Sequence, residues 1–263
     1  MAFSQRSSRQ RQSRCQTASP GEAIDFREKV NDAMFRRSWK LNMTASEKQR
    51  GLVFILLYML VFPRLSEWLQ RRFAQEDELL LTQTNVVYYG VLFALALLAF
   101  WNLLKKDFSG LLDWLPENLT AIVAGVVLGG GARLGMEFLP LPVRDPAPLQ
   151  YAEQFHLSPG PTLVLILLLI PLVEETVYRG YIYGHLREYS RPLAVVLSTL
   201  LYAFFQVWRY ALSFGDMRYL LLILLYLPSS LALTLCYESA GSIWGCTVLH
   251  AGFNALALFA LGL

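Results

Sequence analysis

Seven stretches of about twenty residues, each apolar almost throughout, leave this chain few folds to choose from. A helix of ~20 apolar residues matches a hydrocarbon core ~30 Å thick. Inside lipid, every backbone N–H and C=O must be paired within the protein, which restricts spans to helices or closed barrels. Hydropathy places the stretches at about 50–69, 85–104, 119–139, 161–186, 192–213, 218–237 and 242–262. Apolar residues make up 55 % of the chain and charged ones 16 %, the charges gathering in short clusters between the runs. That pattern excludes an ordinary soluble domain and gives no basis for a nucleic-acid partner. The expected fold is all-α: a polytopic transmembrane helical bundle of about seven spans.

Three regions are expected. Residues 1–45 form a basic cytoplasmic segment, and 1–20, rich in Ser, Gln and Arg, are expected to be disordered. No apolar core or small-residue cleavage site of a secretory signal is found there. From 22 to 41, Phe26, Val30, Met34 and Phe35 recur at helical spacing among basic residues. That suits either an amphipathic helix on the inner leaflet or a solvated lead-in to the first span. Residues 46–140 carry the N-terminal membrane helices, Pro63 is expected to bend the first, and a Pro-rich loop at 140–161 precedes a motif-bearing core at 160–263. Cys15, Cys236 and Cys246 are odd in number with no metal-like spacing, so neither a disulfide framework nor a zinc site is implied.

Charges inside the apolar runs mark where function is concentrated, since a carboxylate in hydrocarbon is costly unless paired or facing a polar cavity. The third span holds Gly129-Gly130-Gly131 with Arg133 and Glu137 four apart, able to pair. The fourth run ends in Glu174-Glu175-Thr176-Val177-Tyr178-Arg179. Glu175 and Arg179 are four apart, acid first, and face each other on a helix. Glu174 is turned about 100° from that pair, with no partner on its own helix. Near the C-terminus, His250 and Asn254 share one helix face.

Glu-Glu-x-x-x-Arg at the end of a hydrophobic helix, followed by His-x-x-x-Asn near the C-terminus, resembles the CPBP intramembrane proteases. That family includes CAAX prenyl endopeptidases and bacterial abortive-infection or bacteriocin-immunity membrane proteins. The similarity covers about 160–263. The family's second motif, an aromatic and a histidine four apart, has its best match in Tyr202-Ala-Phe-Phe-Gln206, with Gln206 in the histidine's place. By resemblance, Glu174 activates water, Glu175 and Arg179 form a supporting pair, and His250 with Asn254 stabilise the oxyanion. An amide such as Gln206 can position a water but cannot take its proton; Arg209 or Tyr210 would be other occupants of the vacated role. The implied activity is a glutamic-type endopeptidase cutting a peptide or protein substrate, membrane-associated or soluble, near the bilayer surface. No cofactor is implied, and no metal, because His-Glu-x-x-His is missing and Glu174, Glu175 and His250 make a thin ligand set. A catalytically impaired immunity or scaffold protein is the alternative that Gln206 favours, and buried Glu and Arg also occur in transporters.

The basic residues set the expected orientation. Eleven Lys and Arg lie in residues 1–50, and Lys105, Lys106, Arg187 and Arg191 fall on the same side, fifteen in all against six opposite. This predicts a multi-pass cell-membrane protein with a cytoplasmic N-terminus. At ~1.5 Å per residue, Glu174 and His250 come to ~10 and ~12 Å from the cytoplasmic side on separate helices, with Gln206 deeper at ~21 Å. His185 and the tyrosines at 178, 181 and 183 read as interfacial residues, and His156 as solvated in an outer loop.

Overall fold

The computed structural model describes residues 41, 43–73, 78–260 and 262, so the expectations for residues 1–40 lie outside it. Residues 41–263 pack as one unit. Among the described residues every regular element is a helix. In chain order they are α1 Ala45–Leu69, α2 Gln83–Asp113, α3 Leu115–Met136, the short α4 Ala147–Leu157, α5 Pro159–Tyr189, α6 Arg191–Phe214, α7 Met217–Ala240 and α8 Ile243–Ala260. All but α4 are long and apolar enough to cross a membrane, seven such helices among the described residues, which fits a multi-pass membrane protein. The stretch 140–161, expected as a loop, thus contains a helix. Pro63 leaves α1 unbroken, and a wider π-helical turn, Leu57–Val61, leads into it.

The surface is turned inside out relative to a soluble protein. Val123, Leu128, Phe204 and Val248 are exposed, whereas Glu47, Glu175, Arg179, Asn118 and Ser230 are fully buried. Of the most apolar part of α5, 67 % is buried, against 11 % of α3. The hub is therefore α5, packed among α2, α6 and α8, and α3 is a peripheral helix whose apolar face is left exposed by the bundle.

Polar side chains hold the helices where backbone groups come free. Thr44 and Glu47 form a capping box at the start of α1. The same Glu47 carboxylate accepts the N–H groups of Asn102 (2.8 Å) and Leu103 (3.1 Å). Those two are free because α2 is broken at Phe100 (φ −122°, ψ 24°). Lower in α2, Asp107 accepts from the Ser242 hydroxyl and the Ile243 N–H, and the Trp244 indole donates to Leu104 O at 3.0 Å. Asp107 thereby occupies the positive end of α8 and fixes the helix that carries His250. Helices α6 and α7 end on left-handed glycines, Gly215 (φ +63°) and Gly241 (φ +72°), which L side chains adopt at a cost. Between α6 and α7, hydrogen bonds from Arg218 hold the Asp216 carboxyl below its usual range.

Candidate active site

Glu175, near the middle of α5, is the anchor of the site. It is fully buried, and one oxygen, Oε1, accepts from Arg179 Nη1 at 3.1 Å and from His250 Nδ1 at 2.8 Å. The expected pair exists, and it recruits the histidine as well. Because a carboxylate only accepts, Nδ1 carries the proton and Nε2 is left to meet the Tyr202 hydroxyl at 3.3 Å. Arg179 is fully buried too; its Nη2 donates to the carbonyl (3.0 Å) and hydroxyl (3.2 Å) of Ser230 on α7. Its guanidinium lies 4.5 Å from the centre of the Tyr202 ring, a cation–π contact. One ionic cluster therefore ties α5, α6, α7 and α8 together.

Glu174 points elsewhere. Its Oε2 accepts from Gln206 Nε2 on α6 at 2.7 Å, so the two side chains lie at the same depth, and the greater depth expected for Gln206 does not hold. Both line a cavity of about 250 Å³ together with Tyr202, His250 and Asn254. From Glu174 the cavity runs toward the α3–α4 connection, where Glu137, Asp145 and Pro148 join its wall. There Arg133 pairs with Glu137 (3.1 Å), as expected, and with Asp145 (3.4 Å), and the Tyr226 hydroxyl donates to Asp145 at 2.7 Å.

Asn254 is placed by the local geometry of α5. Residues Leu165–Leu169 form a π-helical turn in which the Ile170 N–H reaches back five residues to Leu165 O. The next donor in that register is Pro171, which has no N–H. Ile166 O is left without its backbone donor, and Asn254 Nδ2 supplies one from α8 at 2.7 Å. A second π-helical stretch, Thr176–Tyr183, directly follows the two glutamates and carries Arg179. Such widened turns recur at functional sites.

The structure therefore brings Glu174, Gln206, His250 and Asn254 to one cavity, with Glu175 and Arg179 behind it. Two sequence expectations change. Tyr178 and Tyr183 are fully buried, not interfacial, because α6 and α7 cover that face of α5; Tyr178 packs edge-on against Tyr202. His185 is held by its own helix, Nδ1 lying 2.8 Å from Tyr181 O, and His156 is exposed. Tyr202 and Ser230 belong to the site without having been singled out. Only the aromatic position of the second motif pointed to Tyr202, and nothing in the sequence pointed to Ser230. Cys236 and Cys246 are free and buried. Among the described residues, no three His, Cys, Asp or Glu side chains group in a way that could hold a metal ion.

Residues 157–256 match the family model described as type II CAAX prenyl endopeptidase Rce1-like. No curated protein and no solved structure matches the chain.

Proposed function

We propose, from the match of residues 157–256 to that family model and the chain's resemblance to the CPBP proteases, that the protein is an intramembrane glutamic-type endopeptidase whose water-activating base is Glu174. The observation that carries the proposal is the Glu174 carboxylate, inside a membrane bundle yet lining a cavity, oriented by Gln206 at 2.7 Å and sharing that cavity with His250 and Asn254. Every other buried acid of the site is committed to structure, whereas Glu174 faces space that a water and a peptide can occupy.

Hydrolysis requires a base for the water, donors for the developing oxyanion and an acid for the leaving amine. Glu174 takes a proton from water as the water oxygen bonds to the scissile carbonyl carbon. The C–N bond then breaks, and the same proton passes from Glu174 to the leaving nitrogen, so that water and peptide give an acid and an amine. Gln206 holds the Glu174 carboxylate and cannot itself accept the proton. His250, its Nδ1–H anchored on Glu175, becomes an oxyanion donor when a proton sits on Nε2 as well. Asn254 keeps a second amide hydrogen beyond the one given to Ile166 O. The substrate is a peptide or protein that reaches the bilayer, and the chain's other partner is the lipid itself.

Replacing Glu174 by Gln preserves size and hydrogen bonding but removes the proton acceptor. Hydrolysis of a peptide library by the purified protein should fall by the ~10²–10⁴-fold general-base factor. The substitution Gln206→His adds a second base and should raise the rate. If the parent protein and the Gln206→His variant both fold and neither cuts, the endopeptidase reading is wrong.

A second reading has a specific observation behind it. His250 Nε2 is occupied by Tyr202, Asn254 serves Ile166 O, and Gln206 is no base. Those three commitments suit a family member that keeps the pocket as a membrane immunity or scaffold protein without turnover, and the same pair of variants separates the two readings.

The excess of Lys and Arg on the N-terminal side supports a cytoplasmic N-terminus. With three candidate spans before it, the α3–α4 connection, toward which the cavity runs, would lie on the side opposite the N-terminus. Peptides would then reach Glu174 from the non-cytoplasmic face of the cell membrane.

A further inference from the structure

Four ionisable groups besides Glu174 and His250 line the cavity outside its tyrosines: Arg133, Glu137, Asp145 and Arg209. Three of them are satisfied, since Arg133 bonds both Glu137 and Asp145 and Tyr226 donates to Asp145. Glu174 is held by Gln206. Arg209 is different: among the described residues its guanidinium has neither a hydrogen bond nor a carboxylate within ion-pair range. It shares the cavity wall with Tyr58, Tyr89, Tyr151 and Tyr210, whose rings and hydroxyls contribute no negative charge. A guanidinium is charged at any physiological pH, and holding one inside a membrane bundle without a counter-ion is costly. Among the described residues every acid that lines this cavity already has its partner, so an anion brought in by a ligand is a fitting counter-ion for Arg209.

Resting on the endopeptidase reading, we infer that Arg209 anchors a carboxylate of the bound peptide, in a subsite between Glu174 and the cavity mouth. The planar fork of Arg suits bidentate recognition of a carboxylate. Charge selects a monoanion over a phosphate, because Glu137, Asp145 and Glu174 already outnumber Arg133 and Arg209 on the cavity wall. Spacing fits a peptide as well. Arg209 is three residues beyond Gln206 on α6, which puts its side chain on the same helix face, with Cβ atoms ~5–6 Å apart. Gln206 touches Glu174. A guanidinium extended from there would come to ~7–10 Å from the Glu174 carboxyl, the length of two or three residues of extended chain at ~3.3 Å each.

The test is equilibrium binding to the full chain in detergent, read by fluorescence polarisation and therefore independent of turnover. Three fluorescein-labelled probes serve: tetraleucine with a free C-terminal carboxylate, its C-terminal amide, and that amide with one leucine replaced by glutamate. The free acid should bind about tenfold or more tighter than the plain amide, as a charge-assisted pair requires. Arg209→Gln should remove that preference while leaving amide binding unchanged, and Arg209→Lys should keep part of it. A glutamate amide that binds like the plain amide assigns the subsite to a terminal carboxylate; one that binds like the acid assigns it to any peptide carboxylate. Equal affinity of acid and amide for the parent protein, including no binding of either, overturns the inference. So does an acid preference that survives in both variants, and so does displacement of the acid by inorganic phosphate in preference to acetate. Acid-selective binding without hydrolysis would sink the endopeptidase reading alone, and hydrolysis with indifferent binding would sink the subsite alone.

Discussion

Glu175 Oε1 takes hydrogen bonds from two cationic or potentially cationic groups, one four residues away and one seventy-five away. Removing one partner of a buried pair leaves an uncompensated charge and typically costs ~3–5 kcal/mol. Arg179→Ala should therefore unfold at distinctly lower temperature in detergent, and the loss should exceed that of an exposed basic residue such as Arg218→Ala. Equal melting temperatures for these two variants would show that the cluster does not hold the bundle. The local half of this cluster was legible from helical spacing, which places Glu175 over Arg179 whatever the tertiary fold. The distant half was not, since no spacing rule says which apolar helix brings His250 to Glu175, or that Ser230 will cap Arg179. Tyr178 and Tyr183 failed as sequence expectations for a related reason. Aromatics near a helix end look alike whether they meet headgroups or another helix, and only the packing of α6 and α7 decides.

At the level of the element, Glu47 does two jobs with one carboxylate: it closes the capping box of α1 and receives two N–H groups where α2 breaks at Phe100. The break has no proline or glycine at its centre, so the sequence carried no sign of it, and Glu47 looked like one more charge at the rim of an apolar run. Each buried N–H left unmet costs ~1–3 kcal/mol. Glu47→Ala should accordingly lower the unfolding temperature and speed amide hydrogen exchange at Asn102 and Leu103, and Glu47→Gln, which retains an acceptor oxygen, should lose less. Parent-like exchange at those two amides in the alanine variant would mean that the carboxylate is not their partner. The span boundaries themselves were readable to within a few residues for most helices, because length and hydropathy are imposed by the lipid and not by neighbours.

For the molecule as a whole, membrane class and seven spans were open to a hydropathy reading, and the side on which chemistry meets water was not. That side depends on which helix ends splay to form the cavity, a property of packing. A labelling experiment joins the two. Gln150→Cys sits on exposed α4, near the cavity mouth, and Cys15 belongs to the N-terminal segment, while Cys236 and Cys246 are buried. A membrane-impermeant maleimide applied to intact cells should modify the cysteine at 150, and Cys15 only after permeabilisation; the reverse pattern would invert the orientation proposed above. Bundle assembly itself faces a problem of alignment, since apolar helices in lipid can slide past one another with little change in contact energy. The missing hydrogen of Pro171 resolves it for α5 and α8. A shift of α8 by one residue would set an alanine or a phenylalanine against Ile166 O, and neither side chain can answer that carbonyl. Only the alignment that seats Asn254 there silences it. That same alignment carries His250 to Glu175, so a mismatched bundle and an assembled site exclude each other.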